Sequence, residues 1–404
     1  MGALVYYSSV ITELFLVHPL LIAAFAALPW LLVPLLTFVR LSRSHTLDEE
    51  SPKLSMHAPA VSIIIPARNE AHNIAECVLS VLESTYPQIE VIVVNDHSMD
   101  ATKRIAGDIA ATDARVRIID NPDLPSGWFG KQWACQNGAD AATGDILIFV
   151  DADTRLAPDL VTRSVNGMLR TRADLYSVIG RQEMQSFWER MIQPQIFTML
   201  ASRYGGTECV NRSTHVWDKI ANGQYIMIRC VAYDAMHGHA LVRAFVAEDM
   251  MLAQRYFAAG RITVISMGWE QLSTRMYTSL GDIIRGWRKN AFAGGREAMP
   301  LGKTGRVIFP VMLTVMPLMQ LVPVIILMAA LAGLVSTPVV VWAAIATGAV
   351  SAWWAFVYRA IGQRMIYMLC FPIGAAMALY IFMTAVARGQ RVSWKGRRYV
   401  NSTA

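Results

Sequence analysis

The chain has 404 residues, 54% of them hydrophobic, a mean hydropathy of +0.36 and a formal net charge of +6 at pH 7. Such a chain is too apolar for a purely soluble enzyme, yet its middle is too rich in charge for a protein lying wholly in a bilayer. Its five cysteines, Cys77, Cys135, Cys209, Cys230 and Cys370, form no close pair and no C-x-x-C, so they suggest neither a disulfide framework nor a zinc site. No nucleic-acid motif accompanies the positive charge, and no nucleic-acid partner is expected.

Leu16 to Val39 is one long apolar stretch, enough for a helix to cross a bilayer, which takes roughly 20 residues. Met1 to Val10 contains no Lys or Arg, whereas Arg40 and Arg43 follow the stretch. That order reads as an uncleaved anchor over residues 1–44, with its amino end outside and the next domain in the cytoplasm. A linker around Leu54 to Pro59 then leads into a globular region, residues 58–300.

Within that region the apolar run from Val61 stops at Pro66-Ala67-Arg68-Asn69-Glu70, and a second, Glu90 to Val94, stops at Asn95-Asp96-His97-Ser98-Met99-Asp100. Asn73 to Glu83 and Ala101 to Ala111 carry apolar residues at helical spacing, so the order is strand, helix, strand, helix. Asp100 reads as a cap for the second helix. Lys131 follows the turn-rich Ser126-Gly127-Trp128-Phe129-Gly130 and precedes a helix-like stretch with Asn137. Ile146 to Val150 is a buried parallel strand by its composition, and it ends in Asp151-Ala152-Asp153. Carboxyl ends of strands are where open α/β sheets bind ligands, and two hard oxygen donors there can hold Mg²⁺ or Mn²⁺ against a diphosphate. Taken alone, such carboxylates serve equally well as caps or solvated groups.

Together, the PARNE, VVNDHSMD and FVDADT segments resemble those of the inverting family 2 glycosyltransferases, whose catalytic domain is a GT-A fold. The resemblance implies an α/β, Rossmann-like nucleotide-diphospho-sugar transferase domain joined to transmembrane α-helices. It implies that Asp96 accepts the uracil N–H of a UDP-sugar, that Pro66, Ala67 and Glu70 hold base and ribose, and that Lys131 faces the nucleotide. Asp153 would ligate the metal directly, with Asp151 contacting metal-bound water or ribose. Downstream, Glu248-Asp249 opens a helical stretch running to Ala259, where the positive helix end favours an ionised carboxylate. The resemblance makes Asp249 the catalytic base and Glu248 its supporting acid; an acidic first turn that merely stabilises a helix is the alternative.

Asn222-Gly223-Gln224-Tyr225 and His237-Gly238-His239 lie where the family places acceptor-facing residues, which makes Gln224 and His239 candidate acceptor contacts. The histidines have no third ligand at recognisable spacing for zinc. If Gly281 to Asn290 is helical, Arg285, Arg288 and Lys289 share one face and Ile284, Trp287 and Ala291 the other. With a membrane segment just beyond, this element reads as interfacial, its cations within reach of the diphosphate and Trp287 toward the acceptor. Gly286 departs from the Q-x-x-R-W motif of processive polysaccharide synthases. Arg275-Met276-Tyr277 and the Gly286-Trp287-Arg288-Lys289-Asn290 run resemble instead bacterial membrane glycosyltransferases acting on carotenoid acids and related lipids, as does the tail Trp394 to Tyr399.

Three further apolar stretches, Val307 to Val335, Pro338 to Val357 and Met365 to Ala387, make residues 304–388 a membrane region, followed by a basic tail, residues 389–404. Arg388, Arg391, Lys395, Arg397 and Arg398 suit anionic lipid headgroups. Three crossings after a cytoplasmic domain would put this tail outside, against its charge. The proline-bearing Val307 to Val335 is therefore expected to tilt, kink or turn back, which leaves the tail in the cytoplasm. The expected protein is a multi-pass enzyme of a bacterial-type plasma membrane that moves a hexose from a UDP-sugar to a membrane lipid. A polyprenyl-phosphate transferase and a silent sugar-nucleotide-binding scaffold are the alternatives.

Overall fold

The computed structural model describes residues 19–54, 58–297, 299, 302–389, 391–394 and 397–400. The expectations resting on Met1 to Val10 and Lys395 lie outside the described residues, as do the side chains of Arg391, Arg397 and Arg398. The described residues divide into two compact units: those within 43–185, 204–307 and 385–400 form one, and those within 19–42, 186–203 and 308–384 form the other.

The first unit is built on a sheet. Its strands are β1 (Val61–Ala67), β2 (Ile89–Asn95), β3 (Val116–Asp120), β4 (Ile146–Val150), β5 (Thr154–Leu156), β6 (Leu175–Ile179), β7 (Arg181–Gln182), β8 (Tyr225–Arg229), β9 (Thr263–Met267) and β10 (Leu272–Thr274). Seven of them run in the order β3-β2-β1-β4-β8-β6-β9, and β5, β10 and β7 form a second, small sheet. Burial alternates across the sheet. Ile63, Ile65, Val91, Val93, Ile148 and Val150 join one core with the Ile74–Leu82 and Leu160–Thr171 helices. Ile64, Ile92, Val94, Leu147 and Phe149 join another with the Gly130–Asp140 and Glu248–Ala258 helices. Both faces are covered, which is why these strands read as unbroken apolar runs.

β4 departs from the sequence reading: it is parallel to β1 but antiparallel to β8. Its composition reports burial on two faces, and burial does not distinguish strand direction. Pro66 is tolerated in central β1 because the register with β4 ends at Ile64 and Phe149, before its missing N–H would be needed. The expected helices form over Ile74–Leu82 and Thr102–Ala110, and the second is entered through Asp100, whose carboxylate accepts the Thr102 N–H at 3.0 Å.

Residues 43–54 are bound to this unit along their length. Leu47 is fully buried in the first core, Thr46 bridges to Met267, and the His45 N–H donates to Thr207 Oγ1 at 2.8 Å. Arg163 donates to the carbonyls of Leu47, Asp48 and Glu50, while Arg170 pairs with the Glu50 carboxylate.

The second unit is helical. Among the described residues four helical stretches, Pro19–Leu41, Gly302–Leu331, Thr337–Ala360 and Met365–Arg388, are long and apolar enough to cross a membrane. Gly302–Leu331 is one uninterrupted helix despite Pro310, Pro317 and Pro323, about 45 Å long at 1.5 Å per residue. A helical proline leaves the carbonyl four residues earlier without its N–H, and two such carbonyls are satisfied from neighbouring helices. Trp30 Nε1 donates to Met319 O, freed by Pro323, at 2.6 Å, and the Tyr358 hydroxyl donates to Arg190 O, freed by Pro194, at 2.9 Å. These bonds explain how proline-rich helices pack without losing backbone satisfaction. A cleft within this unit is walled mainly by apolar side chains, including Trp30, Met316, Trp353 and Phe382.

Candidate active site

The carboxyl ends of β2 and β4 and the start of the Glu248–Ala258 helix supply the groups that meet here. Lys131, in the first turn of the Gly130–Asp140 helix, is the hub. Its Nζ lies 2.7 Å from Asp151 Oδ1 and 2.8 Å from Glu248 Oε1. One cation thus joins the strand-end carboxylate to the acidic pair 97 residues further along the sequence.

The charges settle unequally. Burial pulls Lys131 down, but Asp151 and Glu248 raise it well above the ordinary lysine value, so it stays protonated. Burial pushes Asp151 up, and Lys131 offsets only part of that. For Glu248 burial acts in the same sense, but Lys131 and Lys289 outweigh it and hold the carboxyl below its usual range. Asp249 is raised to about 6, first by burial and then by the Glu248 charge beside it. Its Oδ2 accepts the Gly223 N–H at 3.0 Å and its Oδ1 the Met250 N–H at 2.7 Å. A carboxylate with this shift sits in the range suited to proton abstraction near neutral pH.

At the β2 end, Asp96 is 2% exposed. Its Oδ1 accepts from Asn121 Nδ2 at 3.0 Å, Asn121 Oδ1 accepts from Asn137 Nδ2 at 3.0 Å, and Arg68 donates to the Asp96 carbonyl at 2.7 Å. Asn121 was not legible as a site residue, although it directly follows β3, where a polar side chain at the strand's carboxyl end is the available signal. Pro66 and Ala67 stand beside Asp96 at the end of β1, where Ala67 O accepts the Asp96 N–H at 2.8 Å. Ala67's side chain is buried in the core, so only its backbone is available to a ligand. Glu70 accepts from Asn73 Nδ2 at 3.1 Å and lies close enough to raise Asp151.

Asp151 and Asp153 stand two residues apart just beyond β4. Among the described residues no group of three or more His, Cys, Asp or Glu side chains is arranged to hold a metal. Two carboxylates without a protein cage fit a hard cation that draws its other ligands from diphosphate and water.

The Leu280–Glu297 helix divides its cations. Arg285 pairs with Asp282 at 2.6 Å and its side chain is 72% exposed. Lys289 is half-buried; loss of water contact lowers its pKa, and it feels the charges of Glu248, Lys131, Asp151 and Asp249. The Arg288 Nε is buried with no hydrogen-bond partner among the described residues. Trp287 corrects the interfacial expectation. It is 6% exposed and meets Tyr277 edge-on, with 6.1 Å between ring centroids. The same tyrosine explains Gly286, since a Cβ there would lie 2.2 Å from the Tyr277 ring.

Two acceptor candidates are drawn inward. His239 is 2% exposed, 2.8 Å from the Tyr233 hydroxyl and packed edge-on against Phe149, and burial lowers its pKa to about 3. It is a neutral core histidine rather than an acceptor-facing one. The Gln224 side chain, 6% exposed, accepts from Gln182 Nε2 at 3.0 Å, and its backbone carbonyl accepts the Asp151 N–H at 3.4 Å.

Comparison with known proteins agrees with this geometry. Residues 62–236 match the family model described as Glycosyl transferase family 2. The 4,4'-diaponeurosporenoate glycosyltransferase of Staphylococcus aureus (strain USA300) is 28% identical over 272 residues, 66% of this chain and 70% of that protein. Its counterpart in strain MRSA252 is 28% identical over 263 residues, 64% of this chain and 67% of that protein. A mannosyltransferase from Pyrobaculum calidifontis, solved in complex with GDP-Man and Mn²⁺, superposes over 90% of this chain and 98% of its own, with a TM-score of 0.53 and 19% identity. The chain is a glycosyltransferase: residues 62–236 are similar to family 2 glycosyltransferases, the fold is GT-A, and four helices among the described residues are candidate membrane spans.

Proposed function

We propose that the protein is an inverting hexosyltransferase that moves the sugar of a UDP-sugar onto a hydroxyl or carboxyl group of a carotenoid-like membrane lipid. The observation that carries this reading is the Lys131 bridge, which ties the donor-side carboxylate Asp151 to the Glu248-Asp249 pair. A sensor or scaffold that only bound a nucleotide sugar would have no use for a base tuned near 6 beside that edge. The lipid class is supported by the S. aureus relative, whose name gives a carotenoid acid as its acceptor, and by the four apolar helices.

In this reading Asp96 takes the N–H of the base, with the Asn137-Asn121 relay fixing its orientation. Uracil and guanine both offer an N–H; the sequence resemblance favours uracil, whereas the P. calidifontis structure holds GDP-Man. Asp153 and Asp151 would hold Mg²⁺ or Mn²⁺, which would neutralise charge on the departing diphosphate. Lys131, Lys289 and Arg288 add fixed positive charge around the same groups. Asp249 takes the acceptor proton as the new C–O bond forms and the bond from anomeric carbon to diphosphate breaks, releasing UDP. A base is needed for a hydroxyl acceptor and is dispensable for a carboxylate, so the raised Asp249 favours a hydroxyl. Membranes containing the protein should release UDP from an α-linked UDP-hexose only when metal and a lipid bearing a hydroxyl or carboxyl group are present, and anomeric proton couplings should report a β-linked product. Release without lipid, or an α-linked product, would overturn the proposal.

We also assign the catalytic unit and the tail to the cytoplasmic side of a bacterial-type plasma membrane. The tail strands, Arg391–Trp394 and Arg397–Val400, belong to the sheet-bearing unit, which supports a common side and requires that one of the three later helices fail to cross fully. A cysteine at position 402, with the native cysteines removed, should resist an impermeant thiol reagent in intact cells and react after permeabilisation. Labelling in intact cells would refute the assignment.

A further inference from the structure

We infer that Gly223 is a positioning residue for the base: its backbone N–H aims the Asp249 carboxylate, and its lack of a side chain leaves that carboxylate its place. The inference rests on the reading of Asp249 as the base. Asp249 Oδ2 accepts the Gly223 N–H at 3.0 Å, and a Cβ at position 223 would stand 2.9 Å from that oxygen, 3.3 Å from Asp249 Cβ and 3.4 Å from its Cγ. Contacts that short require something to shift.

The turn is held too firmly to be what shifts. The Asn222 N–H donates to Ser177 Oγ at 2.8 Å, Asn222 Nδ2 donates to Val178 O at 2.7 Å, and the Tyr225 N–H donates to Asn222 O at 3.0 Å. Gln224 is fixed through Gln182 and through the Asp151 N–H. The group free to yield is the end of the Asp249 side chain, so a methyl group at 223 displaces the base itself. Because Gln224 O also receives the Asp151 N–H, one three-residue turn sets the position of the base and of the donor-side strand end together. The charged groups acting on Asp249 from the surrounding elements are Glu248 on its own helix, Lys131 on the Gly130–Asp140 helix and Lys289 on the Leu280–Glu297 helix. Gly223 adds to these a directional contact that fixes which lone pair meets the acceptor.

The test is a double-mutant cycle in the full-length membrane protein with Gly223→Ala, Asp249→Asn and the pair, assayed with a UDP-hexose and a hydroxyl-bearing lipid. Gly223→Ala should lower kcat by about 10-fold or more, in line with the cost of displacing a reacting group by a fraction of an ångström. Its KM for the donor should be unchanged, and the low-pH limb of its rate profile should move to higher pH as the carboxylate loses an N–H donor. In the Asp249→Asn background the same substitution should have no further effect. Equal fold-losses in both backgrounds, or wild-type kcat and pH profile in Gly223→Ala, would overturn the inference. If Gly223→Ala fails to fold, Gly223→Ala with Asp249→Ala should fold again, because the clashing side chain is gone; a pair that stays unfolded refutes the steric argument. Wild-type turnover in Asp249→Asn would instead remove the reading of the base on which the inference stands.

Discussion

Asp249→Asn should reduce turnover with a hydroxyl acceptor by about 10²-fold or more, the usual scale for loss of a general base, while leaving UDP-sugar affinity little changed. The amide keeps the size of the side chain and removes only its basicity. In the native enzyme the carboxyl, raised to about 6, must be ionised to act. The rate should therefore fall as pH drops below about 6, by tenfold for each further unit, and the variant should lose this limb. Stability should move the other way. A carboxyl whose folded pKa exceeds its unfolded value disfavours the fold once it ionises, so above pH 6 the Asn variant should melt no lower than the native protein. Surviving turnover, or a parallel collapse of donor binding, would count against the assignment.

Asp153→Ala should bring transfer below detection. With no protein cage among the described residues, a hard cation at this edge depends on Asp151, Asp153 and the diphosphate, and Asp151 is already engaged by Lys131. Manganese binding measured by electron paramagnetic resonance should require UDP in the native protein and be lost in the variant, with the far-ultraviolet circular dichroism of the protein unchanged. Full activity in EDTA, or UDP-dependent manganese binding retained by the variant, would refute metal dependence through Asp153.

Much of the scaffold was legible because it is written in local terms. An apolar run that stops at a carboxylate identifies a buried strand and its polar end together, as at Ile146 to Asp153. The direction of β8 was not legible, because a strand buried on both faces has the same composition whichever way it runs. The site was legible where a motif carries charge, and less so where backbone carries the function. Gly223 acts through an N–H and an empty volume, neither of which marks the sequence. Helical arithmetic placed Arg285 and Lys289 on one face, but Asp282 draws Arg285 outward while Lys289 is half-buried and feels the carboxylates. His239 and Trp287 were read by their chemistry, whereas packing against Phe149 and Tyr277 decides their place.

The polar residues 43–54 have the composition of a tether, yet they fasten the amino-terminal border of the sheet-bearing unit through Leu47 and the carbonyls that Arg163 reaches. This has a practical consequence for anyone cutting the enzyme free of its membrane helices. A fragment begun at residue 58, where the globular pattern starts, would open a hole in the core at Leu47 and strand Arg163 and Arg170 without their acceptors. Fragments intended for secretion, crystallisation or display should retain the chain from Arg43, and a protease site introduced between residues 54 and 58 should leave the severed piece still bound.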